Sequence, residues 1–303
     1  MANLLLRSPQ YISVSSAASA KLTITIDGTL RYTIIKNAIN SRVVFEISEL
    51  CRDYIEHSFT QSNPAETITI ATQRFRYTEA NGGGTETDLG TSTDTGFDGY
   101  GLFTGSVNPT LPSTTLQSNT DIYLPFNTAS YIATNTLSTK AIISATDTSI
   151  SLGIPSVTFT IHRVCDSKFG SSKITFLNRF GALQEMYFFH KSSEDITTTS
   201  ESYKRNIFDY ANTNYSSTDH QMQKFNTNAT KKTTLNTPFV TEQFNEAIEE
   251  LMLSEYVWLT QGSITHPVTP STKSLRFKTS VNDKLVQYTI EFDHTSSVIN
   301  NVR

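Results

Sequence analysis

The chain has 303 residues, a formal net charge of −4 and a pI near 5.9, with 37% hydrophobic and 17% charged residues. That length suits about two ordinary domains, each able to bury a core without staples. Eighteen Phe and 13 Tyr exclude a disorder composition, and 24 basic against 28 acidic side chains give no general electrostatic reason to bind nucleic acid.

The first elements read as strands. Leu22, Ile24 and Ile26 alternate with Lys21, Thr23 and Thr25. Asp27-Gly28 turns the chain, and Leu30, Tyr32 and Ile34 alternate on the way back, a strong hairpin signal. Strands are also expected at Tyr11–Ser15, Thr29–Lys36 and Ser41–Phe45. A short helix follows, with Ser48 as its cap, Glu49 in the first turn, and Ile47, Leu50, Cys51, Tyr54 and Ile55 on one face. Thr67–Tyr77 returns to alternation.

Asn81–Gly96, with Gly82-Gly83-Gly84 and many Thr, Ser and Asp residues, reads as a long exposed loop and a contact element. Phe97 to Pro109 clusters Phe97, Tyr100 and Phe103 with glycines. These three aromatics are the candidate interface anchors. Further strands are expected between Asp121 and Arg163, with Thr158–Arg163 the clearest, and a domain boundary near Val164–Gly170.

In the second half, two strands flank Asn178–Gly181, where Gly181 supplies a positive φ and Phe176, Phe180, Phe188 and Phe189 seat the hairpin. Tyr203–Tyr210 and Met222–Asn228 follow, and Lys231–Asn236 is expected to pair with the latter. Thr241–Ser254 reads as a helix with Phe244, Ala247, Ile248, Leu251 and Met252 buried, and Glu246, Glu249 and Glu250 elsewhere. The chain closes on a hairpin: Ser274–Thr279, a turn at Asn282-Asp283, and Leu285–Phe292 with Val286, Tyr288, Ile290 and Phe292 on one face. The fold expected is mainly β. It comprises two sandwich- or barrel-like domains: residues 1–165, with a short helix and the 81–96 loop, and residues 166–303, with the longer helix at 241–254.

Catalytic signatures are sparse. His57, His162, His190, His220, His266 and His294 are scattered and read as surface or strand-end residues. There is no Gly-x-Ser-x-Gly elbow, phosphate loop or dinucleotide fingerprint. Asp94-x-Gly96-x-Asp98-Gly99 has part of a calcium-loop pattern, but glycine stands at the third ligand position and Gly105 where the bidentate Glu belongs. Turn chemistry accounts for it instead. No catalytic residue, cofactor or metal is assigned. Cys51 and Cys165 fit either two reduced thiols or one bridge. Trp258 reads as a core or interface anchor. No apolar stretch reaches the roughly 18 residues of a membrane span, and the N-terminal apolar run is too short for a signal peptide.

Several segments carry a resemblance. They are Leu4-Leu-Leu-Arg-Ser-Pro9, Gly96-Phe-Asp-Gly-Tyr-Gly101 with Val107-Asn-Pro109, Phe176-Leu-Asn-Arg-Phe-Gly-Ala-Leu-Gln184 with Phe188-Phe189, Phe225-Asn-Thr-Asn228, Leu251-Met-Leu-Ser-Glu255, and Lys278-Thr279 through Tyr288-Thr-Ile-Glu-Phe292. Together they resemble virion structural proteins of tailed bacteriophages, of a kind common in marine and Bacteroidota-infecting phages. The resemblance implies a non-enzymatic subunit of the tail or baseplate region, made in the host cytoplasm and held in the virion by other virion proteins in a symmetric assembly. A host-surface adsorption module that contacts a glycan or receptor is the alternative reading, and a neck or capsid decoration protein the second.

Overall fold

In a computed structural model, the structure describes residues 1–59, 65–101, 107–111, 116–117, 119–126, 128, 132–134, 140–142, 149–152, 157–164, 170–276, 286–296 and 298. The protein is mainly β.

The first unit contains β1 (Asn3–Leu5), β2 (Tyr11–Ser15), β3 (Ser19–Ile26), β4 (Thr29–Asn37), β5 (Arg42–Glu46), α1 (Ser48–Arg52), β6 (Thr67–Tyr77) and β7 (Glu86–Phe97). Five of them form a sheet in the order β1-β7-β6-β3-β4, while β2 and β5 pair as a separate ribbon. The Asp27-Gly28 hairpin forms as expected, with Ile26 opposite Thr29. Leu22, Ile24 and Ile26 then join Val14, Val43, Phe45 and Cys51 in one core. The start of α1 differs from expectation. Ile47 occupies the cap position, and the Glu46 carboxylate accepts hydrogen bonds from the Ser48 backbone N–H and hydroxyl.

The expected loop at 81–96 is largely a strand. Only Thr78 to Thr85 turns; Glu86–Phe97 is β7, twelve residues long and laddered along β6 from Tyr77↔Glu86 to Thr67↔Phe97. Its polar side chains face solvent, so no apolar alternation marks it. Gly90 (φ +89°) is an extra residue in a bulge, where Gln73 pairs with Thr91 and Phe75 with Asp88. The Gly82-Gly83-Gly84 run that suggested a loop lies in the turn, while Gly90 lets the ladder continue on both sides of the bulge.

The middle of the chain supplies β8 (Asp121–Pro125), β9 (Ile132–Thr134), β10 (Lys140–Ile142), β11 (Ser149–Leu152) and β12 (Val157–Val164). β11, β12 and β8 form a small sheet, and β9 pairs with β10. The expected boundary at 165 falls at the start of residues 165–169, outside the described residues. Tyr123 and Val164, both before it, pack into the core of the second unit.

That unit contains β13 (Ser172–Leu177), β14 (Leu183–Phe188), β15 (Ser193–Lys204), β16 (Phe208–Asp209), β17 (Asn214–Tyr215), β18 (Met222–Asn236), α2 (Asn245–Leu253), β19 (Val257–Gln261), β20 (Ile264–Pro270) and β21 (Thr289–His294). Seven strands make one sheet, β14-β13-β19-β20-β21-β18-β15. The helix α2, preceded by a 3₁₀ turn at Glu242–Phe244, lays Phe244, Ala247, Ile248 and Leu251 on it. Val286, Tyr288, Ile290 and Phe292 are all buried, so the terminal alternation assigns the correct face. Of the partner strand expected at Ser274–Thr279, Ser274 to Arg276 is irregular, and the rest of it, with the turn at Asn282-Asp283, lies outside the described residues.

Met222–Asn228 and Lys231–Asn236 do not pair with each other. They are one continuous strand, β18, whose partner is β15. β15 is a run of hydroxyl and acidic residues exposed along its whole length, which is why alternation did not reveal it. A third cluster, Leu5, Phe97, Leu111, Leu116, Phe180 and Ala182, draws on both units and joins them.

Candidate functional site

At the seam between the units, β1 and β7 run parallel, and the backbone bonds continue past their ends, from Leu6 N–H to Phe97 O (2.9 Å) and from Arg7 N–H to Gly99 O (2.8 Å). The bend at Asp98 then meets the tight turn at Asn178–Gly181 back to back. The Tyr100 N–H donates to Arg179 O at 2.8 Å. A Cβ added at Gly99 would lie 2.6 Å from the Phe180 carbonyl carbon, and one at Gly181 (φ +79°) would lie 2.9 Å from the Asp98 nitrogen. Only glycine permits that approach. The Asn178 side chain holds its own turn, accepting from the Phe180 and Ala182 N–H groups at 3.0 Å and donating to Leu116 O.

This approach places Asp98, 3% exposed, at the centre of a charged cluster. Arg7 binds it through Nε to Oδ1 at 2.8 Å and Nη2 to Oδ2 at 2.9 Å. Arg52, the last residue of α1, donates from Nε to Oδ1 at 2.8 Å. His57 Nε2 lies 2.8 Å from Oδ2. Glu255, just after α2, then bridges the outer nitrogens of both arginines at 3.0–3.1 Å. Burial alone would raise the Asp98 carboxyl, but the hydrogen bonds from His57, Arg7 and Arg52 outweigh it and hold the group well below the usual carboxylate range. Asp98 is therefore neither a turn cap nor a calcium ligand. Its oxygens are taken by cations.

His57 corrects the reading of all six histidines as surface residues: its side chain is 2% exposed. Its ring lies 4.5 Å from that of Tyr256, and Phe59 packs 5.7 Å from Trp258, which stacks on Tyr256. Trp258 is thus a seam residue between the units. Beside the cluster, Glu250 is buried and its carboxylate meets Arg179 Nε at 3.2 Å, so it does not lie on the open face of α2.

The cavity beside the cluster, lined by Arg7, Tyr100, Asn178, Arg179, Glu250 and Ser254, holds about 30 Å³. That is room for a water molecule or two. Cys51 is a free buried thiol whose pKa is pushed up to about 12 by burial and by Glu46. A thiol so disfavoured as thiolate is a poor nucleophile. Among the described residues, no group of three or more His, Cys, Asp or Glu side chains could hold a metal ion.

The expected anchors divide. Phe97 is fully buried in the joining core and cannot anchor a partner. Its place at the end of β7, beside Leu5 in the joining cluster, removes it from the surface. Tyr100 is 36% exposed at the rim of the small cavity. Phe103 lies outside the described residues. The exposed aromatics that sequence reasoning missed stand elsewhere, on the ribbon formed by β15, β18 and the loop between them. Tyr203, Phe208, Tyr210, Tyr215 and Phe225 are 40–78% exposed, with Ile196 and Met222 beside them. Tyr203 packs edge-on against Phe225, and Phe208 against Tyr210, leaving their outer faces open.

No family model, curated protein or solved structure matches this chain. No helix among the described residues is long and apolar enough to cross a membrane.

Proposed function

We propose that the protein is a non-enzymatic structural subunit of a phage virion, in the tail or baseplate region, acting through protein–protein contacts. One observation carries the reading: charged groups are spent inside, on fastening two β units, while large aromatics are spent outside, on a protruding ribbon. A patch of exposed aromatics on a two-stranded arm suits burial by another macromolecule. The segments that resemble virion proteins also converge on a single place, since Leu4–Pro9, Gly96–Gly101, Phe176–Gln184 and Leu251–Glu255 all meet around Asp98. Residues that build a rigid joint are what a load-transmitting subunit requires.

The test is complementation of a deletion, followed by mass spectrometry of purified particles. The wild-type chain is expected in particles, and a variant with residues 196–229 replaced by a short Gly/Ser turn is expected to fold yet be excluded. Absence of the wild-type chain from particles overturns the reading. An adsorption role is favoured by one feature, the exposed Tyr210 and Tyr215 at the ribbon's far end. Glycan-array binding that is lost in Tyr210→Ser would move the assignment to that role.

A further inference from the structure

The ribbon has an open edge. β15 pairs with β18 on one side, and no described strand pairs with the other. Which backbone groups face outward follows from parity. In β18, Ala229 O accepts from Val298 N–H, and Thr237 N–H, just beyond the strand, donates to Tyr288 O, so odd-numbered residues of this stretch point toward β21. Even-numbered residues of β18 therefore point at β15, where they meet Ser193, Asp195, Thr197 and Thr199. The Arg205 N–H bond to Gln221 O continues the odd series past the strand end. The outward ladder consists of Glu194, Ile196, Thr198, Ser200, Ser202 and Lys204.

Two of the usual edge protections, proline and a bulge, are absent from β15. The extra residue in the ladder lies on β18, where Asn226 takes φ +50°. The charges of β15 are unevenly placed: Glu194 and Asp195 stand at one end and Lys204 and Arg205 at the other, with Glu201 as the one acidic residue in the second half.

We propose that this edge pairs antiparallel with the same edge of a second copy of the chain. A two-fold axis normal to the sheet at Thr199 sets Glu194 opposite Lys204, Ile196 opposite Ser202 and Thr198 opposite Ser200. Every residue of the outward ladder then meets another residue of the outward ladder, as an antiparallel pair demands. On the other face Asp195 falls opposite Tyr203, with Arg205 and Glu201 as its two diagonal neighbours, so the Glu194 and Lys204 pairs carry the charge complementarity. Glu194 already holds its own Lys231 at 2.7 Å and would stand between that lysine and Lys204 of the second copy. The contact is isologous, so each charge pair occurs twice, and it closes as a dimer. The two seven-stranded sheets become one, with Tyr203 and Phe225 of each copy on the same face. This inference stands on the geometry of the edge and does not depend on the virion reading.

The register makes a sharp test. Thr199 faces its own copy in a pair without mutual backbone bonds, where side chains approach most closely. In a Cys165→Ser background, Thr199→Cys is expected to form a disulfide dimer under mild oxidation, while Thr198→Cys, whose opposite is Ser200, is not. Sedimentation equilibrium of the chain with its native cysteines supplies the second readout. Lys204→Glu should weaken the dimer about tenfold, since two attractive pairs become repulsive, and adding Glu194→Lys in the same chain should restore it. A monomer at every concentration into the millimolar range overturns the proposal. So does efficient cross-linking at residue 198 in place of 199, or a dimer indifferent to the charge at residue 204.

Discussion

The Asp98 cluster and the β15–β18 ribbon reverse the usual placement of residue types. At the cluster, two arginines, two carboxylates and a histidine are drawn together between packed elements, with Asp98 and His57 almost wholly covered. On the ribbon, isoleucine, methionine, phenylalanine and tyrosine stand in solvent. Ion pairs that are buried add little net stability over an apolar core, but they are costly to break and they fix geometry. Exposed aromatics add little to a monomer, but they dominate interfaces. The cluster is therefore the fixed joint of the molecule, and the ribbon is the part whose energetics await a partner.

The largest effect should come from the joint. Asp98→Asn leaves two arginines facing a weakened acceptor and should lower the unfolding free energy by about 3–5 kcal/mol, read by urea denaturation. The same pair of proteins gives a pH test. Because the Asp98 carboxyl is held below its ordinary range, its contribution is fully present above the unfolded carboxylate pKa of about 4 and is lost as pH falls below it. The stability gap between wild type and Asp98→Asn should be constant at neutral pH and narrow in acid. A gap that widens in acid would mean that the carboxylate is not the group being held.

Gly99→Ala should cost about 1–3 kcal/mol, because the new methyl meets backbone of the facing turn and neither segment can yield without the other. An unchanged Tm would show that the two segments are looser than the Tyr100 to Arg179 bond indicates. The ribbon should respond least. Tyr210→Ser or Phe225→Ser should change the stability of the isolated chain by less than about 0.5 kcal/mol. A large loss would place these rings in the monomer's own core and erase the contrast.

Much of the architecture was legible because it rests on alternation with one buried face. β3 and β4 around Asp27-Gly28, the buried stripe of α2 and the Val286–Phe292 face were all readable for that reason. β7 and β15 were not, since both carry mostly polar side chains and are held by backbone ladders, which leave no apolar period in the sequence. The Gly82-Gly83-Gly84 run and the Thr, Ser and Asp residues after it pointed toward one long loop, because a turn and a polar edge-facing strand share that composition. The joint was half visible. The segments containing Arg7, Asp98 and Arg179 stood out as motifs, but their meeting is a long-range event that no local spacing encodes. His57 gave no signal, as its partner Asp98 is 41 residues away. Phe97 reads as an anchor in the sequence because an aromatic beside glycines has the same pattern whether it faces solvent or the seam.

Hydrogen exchange of the free chain and of the chain in purified particles compares both regions in one measurement. The account predicts that amides at the joint, Arg7 and Tyr100 among them, are protected in both states, while the outward amides of residues 194–204 exchange rapidly in the dilute free chain and become protected in particles. Rapid exchange of the ribbon in assembled particles, or full protection of it in the dilute monomer, would contradict the claim that the ribbon is the contact surface.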